Sequence, residues 1–223
     1  SDWSSDVCSS DLMLSSSVSG AATIDLGTSS VANQALAASA ASTAPIWMKN
    51  AVIYQVNTRQ YSAAGTFDAV TADLGRLQKL GVDILWLMPI HPIGEVGRKG
   101  SMGSPYSVAD YYGVNPDLGT EADLRELIDG AHAKGMKVIL DWVANHSSFD
   151  NPWITDHKDW YTQDGQGNVV PPNADWTDVA DLNFDVPAMR VGMIDALKYW
   201  VREFGVEQAC QGLGMLLGHG EDD

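Results

Sequence analysis

From Trp47 onward the chain alternates between short apolar runs and longer amphipathic stretches. The β-branched and aromatic run "AVIYQV" (51–56) predicts a strand. "FDAVTADLGRLQKLG" then puts Phe67, Val70, Leu74 and Leu77 on one helical face, with Thr66 as N-cap and Gly81 as stop. "VDILWLMPI" (82–90) predicts a second strand. Beyond a Gly-rich loop, "TEADLRELIDGAHAKG" carries Leu124, Leu127, Ile128 and Ala131 on one stripe, opened by a Thr120/Asp123 capping pair. "MKVILDWV" (136–143) predicts a third strand. After a polar loop of about forty residues, Pro187 opens a helix with Met193, Leu197, Trp200 and Phe204 on one face.

Strands apolar on both faces and separated by amphipathic helices predict a parallel α/β sheet, because each crossover returns the chain to the same edge. A doubly wound sheet would usually carry a glycine-rich phosphate turn after its first strand, and "QVNTRQYSAAG" has none. The expectation is a partial (β/α)8 TIM barrel, about three βα units plus a long loop after the third strand. In that fold the loops after the strand C-termini build the site, and the long loops at 89–119 and 144–185 both follow strands. With only three units, the third strand is expected to be an unpaired edge.

Composition narrows the function classes. With 223 residues and 45% hydrophobic content, the chain can bury a sizeable core. The formal charge of −16 with thirteen Lys and Arg argues against a nucleic-acid partner. No apolar run reaches the roughly 18 residues of a membrane span. Cys8 and Cys210 suggest neither a disulfide framework nor a metal site. Residues 1–45 are Ser/Ala-rich and are expected to be a disordered tail, with the first 12 read as foreign to an original start at Met13. Residues 46–206 form the expected domain. Residues 207–223 show no strand pattern and are expected to be a separate tail, as from a shifted reading frame.

The third strand closes on "DWVANH", which delivers Asp141, Asn145 and His146 within six residues. A carboxylate, an amide and an imidazole on one rim suit the holding of hydroxyl groups or of an oxygen-seeking cation. The plainer alternative has Asp141 capping backbone, Asn145 fixing a turn and His146 half-buried and satisfied. Trp153, Trp160 and Trp176 offer either aromatic stacking surface for a ligand or, for at least two of them, a mini-core that folds the long loop on itself.

Three motifs in order, "GSPYSVADYYGVNPDLGTEADL" (103–124), "DWVANH" (141–146) and "ADLNFD" (180–185), resemble the α-amylase family of glycoside hydrolases, family 13, from about Ala51 to Val206. The resemblance implies an α-glucan or oligosaccharide substrate, with Tyr106 stacking beneath a sugar ring, His146 donating to it, and Asp141 orienting from behind. It also implies a structural calcium at Asn145 with help from Asn183. Many calcium-binding members have Asp where Asn183 stands, which removes charge a hard cation prefers. The family's nucleophile Asp and acid/base Glu belong to later strands whose motifs this sequence does not contain, so no catalytic residue is assigned and the chain is expected to be inactive as given. The intact parent is expected to hydrolyse α-glucans such as starch and to be secreted or periplasmic, as polymer-degrading relatives often are. The alternatives are a non-catalytic carbohydrate-binding or scaffold relative, or a transglycosylase or isomerase of the same family.

Overall fold

The computed structural model describes Met48, Asn50 and residues 51–210, and every element below lies in the compact unit that starts at Val52. The expected tail at 1–45, Cys8 and residues 211–223 lie outside the described residues.

Strand β1 (Ile53–Val56) leads through a one-turn helix α1 (Thr58–Tyr61) into α2 (Phe67–Leu80). The stripe expected on α2 is the one it buries: Phe67, Val70, Leu74 and Leu77 are each at most 1% exposed. Burying each such side chain contributes about 1.5–3 kcal/mol, which is why the periodicity decides the helix. Gly81 ends α2 with φ +87, a left-handed turn that a residue with Cβ adopts only under strain. Strand β2 (Ile84–Leu87) follows, and α3 (Glu121–Ala133) opens with the expected capping box between Thr120 and Asp123. Strand β3 (Lys137–Asp141) completes the third run of the pattern.

The expected forty-residue polar loop has structure of its own. Two short strands, β4 (His146–Ser148) and β5 (Val179–Asp181), pair antiparallel with His146 opposite Asp181. Between them lie α4 (Pro152–Asp156) and a 3-10 turn at Lys158–Trp160. Helix α5 (Pro187–Phe204) begins at the expected proline.

A further strand, β6 (Gln208–Cys210), corrects two expectations. The four-stranded sheet has the order β1-β2-β3-β6, all parallel, so β3 is interior and β1 and β6 are the edges among the described residues. Gln208–Cys210 are therefore strand, where the sequence pattern predicted none. Glu207 anchors it: its carboxylate accepts from Lys137 Nζ at 2.8 Å and from the Val138 N–H at 2.8 Å, and lies 3.2 Å from His132 Nε2. Burial alone would raise the Glu207 pKa, but hydrogen bonds from His132, Lys137 and Val138 hold it below the ordinary carboxylate range.

The core lies between sheet and helices. Leu85, Leu87, Val138 and Leu140 are fully buried, and Trp200 of α5 meets His91 and donates to the Tyr111 carbonyl, while His91 and Tyr111 both meet Trp142. Trp153 and Trp160 pack edge to face at 5.1 Å against this core. Trp160 seats where α5 has Gly192, at which an added Cβ would come within 2.5 Å of the ring. Two of the three loop tryptophans thus serve the mini-core. No described helix is long and apolar enough to cross a membrane.

Candidate functional site

Strand β3 ends on Asp141, which is 1% exposed, and the buried Trp142 and Val143 carry the chain into a turn. The Tyr111 hydroxyl lies 2.9 Å from the Val143 carbonyl and 2.8 Å from the His146 carbonyl, which pins that turn from within the core. Pairing with β5 then fixes His146 at the start of β4. The three polar residues of "DWVANH" therefore stand on two elements, with Asn145 on the turn between.

Tyr106 comes from the long loop after β2, and its hydroxyl donates to Asp141 Oδ2 at 3.0 Å. Half-burial, helped by the negative charge and hydrogen bond of Asp141, pushes the Tyr106 phenol up to about 12, so it is a neutral donor at any ordinary pH. Asn145 Nδ2 lies 3.0 Å from His146 Nδ1 and donates to it, which leaves the ring proton on Nε2. Burial lowers His146 to about 4, opposed by a hydrogen bond to the Tyr106 backbone and the charge of Asp178. The imidazole is therefore neutral at pH 7.

Tyr106 and His146 line one cavity of about 250 Å³, together with Lys99, Ser104, Trp176 and Asp178. Asp141 does not line it and acts from behind, through the Tyr106 hydroxyl. The two residues expected to touch the sugar thus share a hollow, and Asp141, expected behind them, bonds to one of them. His146 is 2% exposed, so only its edge reaches the space. An aromatic face, a neutral imidazole and hydroxyls on a mostly apolar wall, whose charged Lys99 and Asp178 are paired with each other, suit a small uncharged polyol. Lys99 and Asp178 were not singled out in the sequence because no periodicity marks them; each sits in an irregular segment and meets the site only through tertiary contact. A hollow beside Asn57, Arg59 and Asp117 measures about 20 Å³, room for about one water.

The expected calcium residues are neighbours, since the Leu182 N–H donates to the Asn145 carbonyl at 3.2 Å. Each side chain already makes a local hydrogen bond. Asn145 faces the imidazole, and Asn183 Oδ1 accepts from the Asp185 N–H at 3.0 Å. Two neutral amides in these roles fit a hard divalent cation poorly, and among the described residues no group of three or more His, Cys, Asp or Glu side chains is placed to hold a metal. Calorimetric titration with calcium is expected to give no saturable heat at millimolar concentration; tight, stoichiometric binding would show that these amides rearrange into a ligand set.

The parallel sheet gathers these polar residues at its strand C-termini, beside the hollow, which is where a barrel-derived fold places its site. Residues 47–208 match the family described as "Alpha amylase, catalytic domain", and the chain belongs to the α-amylase family. The match runs slightly past the Val206 limit expected from the motifs, into β6. The chain is 31% identical over 169 residues to the α-amylase MalA of Haloarcula japonica, covering 70% of this chain and 24% of the relative. It is 33% identical over 196 residues to a trehalose synthase of Pimelobacter, covering 70% of this chain and 33% of the relative. The crystal structure of an α-amylase from Lactobacillus plantarum superposes with a TM-score of 0.68 at 49% identity, covering 70% of this chain and 37% of that one. These neighbours carry a TIM-barrel-derived fold, and the chain spans roughly a quarter to two fifths of their length.

Proposed function

We propose that the intact protein carrying this chain acts on α-linked glucans as a retaining, α-amylase-type glycosidase, and that residues 46–206 supply the platform for the sugar ring at the cleavage point. The observation that supports this is the shared cavity of Tyr106 and His146, with Asp141 holding the tyrosine hydroxyl. A sugar offers a C–H face to an aromatic plane and hydroxyls to polar edges, and both kinds of partner are in place. Retaining hydrolysis needs two carboxylates about 5–5.5 Å apart across the scissile bond. The motifs matched here contribute neither, so this chain is proposed to bind without hydrolysing.

Binding tests the platform directly. Maltotriose titrated into the chain is expected to bind, and Tyr106→Ala to weaken it about tenfold or more, through loss of both the ring and the Asp141 contact. Unchanged affinity in that variant would remove Tyr106 from the site. Release of reducing sugar from starch by the intact parent protein tests the chemistry. A trehalose synthase among the relatives, at an identity close to that of the α-amylase, favours a second reading as a transglycosylase or isomerase. Product analysis on maltose separates the two, since hydrolysis yields glucose and isomerisation yields a disaccharide of the same mass.

A further inference from the structure

The cavity beside Tyr106 and His146 has an outer wall formed where two loops meet. Gly97, at φ +69, approaches so closely that an added Cβ would lie 2.6 Å from the Thr177 carbonyl oxygen. Two positions on, Lys99 Nζ donates to the Asp175 carbonyl at 2.6 Å and pairs with Asp178 Oδ1 at 3.2 Å. The Asp178 side chain is 6% exposed, and its backbone carbonyl accepts from Ser107 Oγ at 2.8 Å. A single lysine therefore ties both ends of the short segment 175–178, and Trp176 stands between the ties.

Trp176 differs from the other two tryptophans of its loop. Trp153 and Trp160 are used in packing, whereas Trp176 lines the cavity, meets the edge of His146 at 5.7 Å between ring centroids, and remains 39% exposed. The cavity volume of about 250 Å³ falls just below the usual range for pockets that enclose a whole small ligand, so one sugar ring fills it. The next ring of an oligosaccharide must leave through the mouth, where the half-bare indole is held. We propose that Trp176 is a specificity-determining residue that takes the sugar ring bonded to the one over Tyr106, and that Lys99 is its positioning residue, fixing the indole through Asp175 and Asp178. This inference rests on the carbohydrate reading of the cavity given above.

The test compares glucose and maltotriose by calorimetry on the full chain and its Trp176→Ala, Trp176→Phe, Lys99→Met and Lys99→Arg variants. Trp176→Ala is expected to lose about three- to tenfold in affinity for maltotriose and less than about twofold for glucose, while Trp176→Phe keeps most of the affinity because an aromatic face remains. Lys99→Met is expected to shrink the maltotriose-to-glucose affinity ratio as Trp176→Ala does, and Lys99→Arg to restore it, a pattern that a merely structural lysine would not give. Equal losses for both sugars, or no loss for either, in Trp176→Ala overturns the role of the indole; an unchanged ratio in Lys99→Met overturns that of the lysine. Should Trp176→Ala fail to fold, the change in tryptophan fluorescence on adding maltotriose, present in the wild-type chain and reduced in Trp176→Phe, decides the same point. Wild-type chain that binds neither sugar removes the carbohydrate reading and this inference with it, whereas wild-type binding with an unaffected ratio in every variant removes this inference alone.

Discussion

Trp200→Ala is expected to lower stability by about 3–5 kcal/mol through the cavity left by a fully buried indole. The loss is compounded because Trp200 Nε1 donates to the Tyr111 carbonyl at 2.7 Å, and leaving that buried acceptor unpaired adds about 1–3 kcal/mol. The ring also meets His91 at 5.3 Å and Phe204 at 4.6 Å, so neighbours in the loop after β2 and on α5 itself lose a packing partner. The effect reaches the site by a short path, since the hydroxyl of the same Tyr111 pins the turn between β3 and β4 that carries His146. A urea melt of the variant should show a lower midpoint with an unchanged slope, and sugar affinity should fall with it. Trp200→Phe, which keeps an aromatic ring but not the donor, should lie between. A loss under about 1 kcal/mol for Trp200→Ala would mean that α5 is not clamped to the sheet in the way its contacts indicate.

The parts of the fold that were legible in the sequence are those where one residue's environment repeats along the chain. The buried face of α2 and the capping box of α3 follow from local spacing, and both-face burial of β2 and β3 follows from continuous apolar runs. The site was legible in part for the same reason: Asp141 and His146 bracket the end of a strand, and in a parallel sheet with long loops after its strands that end is where chemistry gathers. What escaped is what tertiary pairing alone creates. "QAC" in β6 has no strand signature of its own, and it becomes a strand because β3 offers a free row of backbone groups and Glu207 ties its start to Lys137 and Val138. "HSS" and "VAD" are three-residue strands too short for any period to show. Lys99 and Asp178 meet across two irregular loops, and His91, which the sequence left without a role, turns out to be enclosed by Tyr111, Trp142 and Trp200.

That enclosure makes acid the condition to which the fold should be most sensitive. His91 is fully buried; Nδ1 donates to the Gly113 carbonyl at 3.2 Å, and Nε2 has no hydrogen-bond partner among the described residues. Burial lowers its pKa to about 4, with the Gly113 hydrogen bond and the charge of Asp110 opposing only in part. A histidine whose folded pKa lies below its unfolded value of about 6.5 is neutral in both states above that pH and costs nothing there; as pH falls from 6.5 toward 4 the unfolded chain takes up the proton first, and stability is lost. At pH 5 the loss is about 2 kcal/mol for His91, and His146, lowered to about 4 by the same cause, contributes a similar amount. Glu207, held below the ordinary carboxylate range, begins to lose its contribution only as pH drops past its unfolded value, so the two buried imidazoles act in the window from pH 6.5 to 5, above that of Glu207. Urea melts across that window should show the midpoint falling steadily for the wild-type chain. In His91→Phe the slope with pH should be roughly halved, whatever the absolute stability of the variant, because one of the two titrating rings is gone. A slope that the substitution leaves unchanged would show that His91 is not the buried neutral ring at the centre of this aromatic cluster.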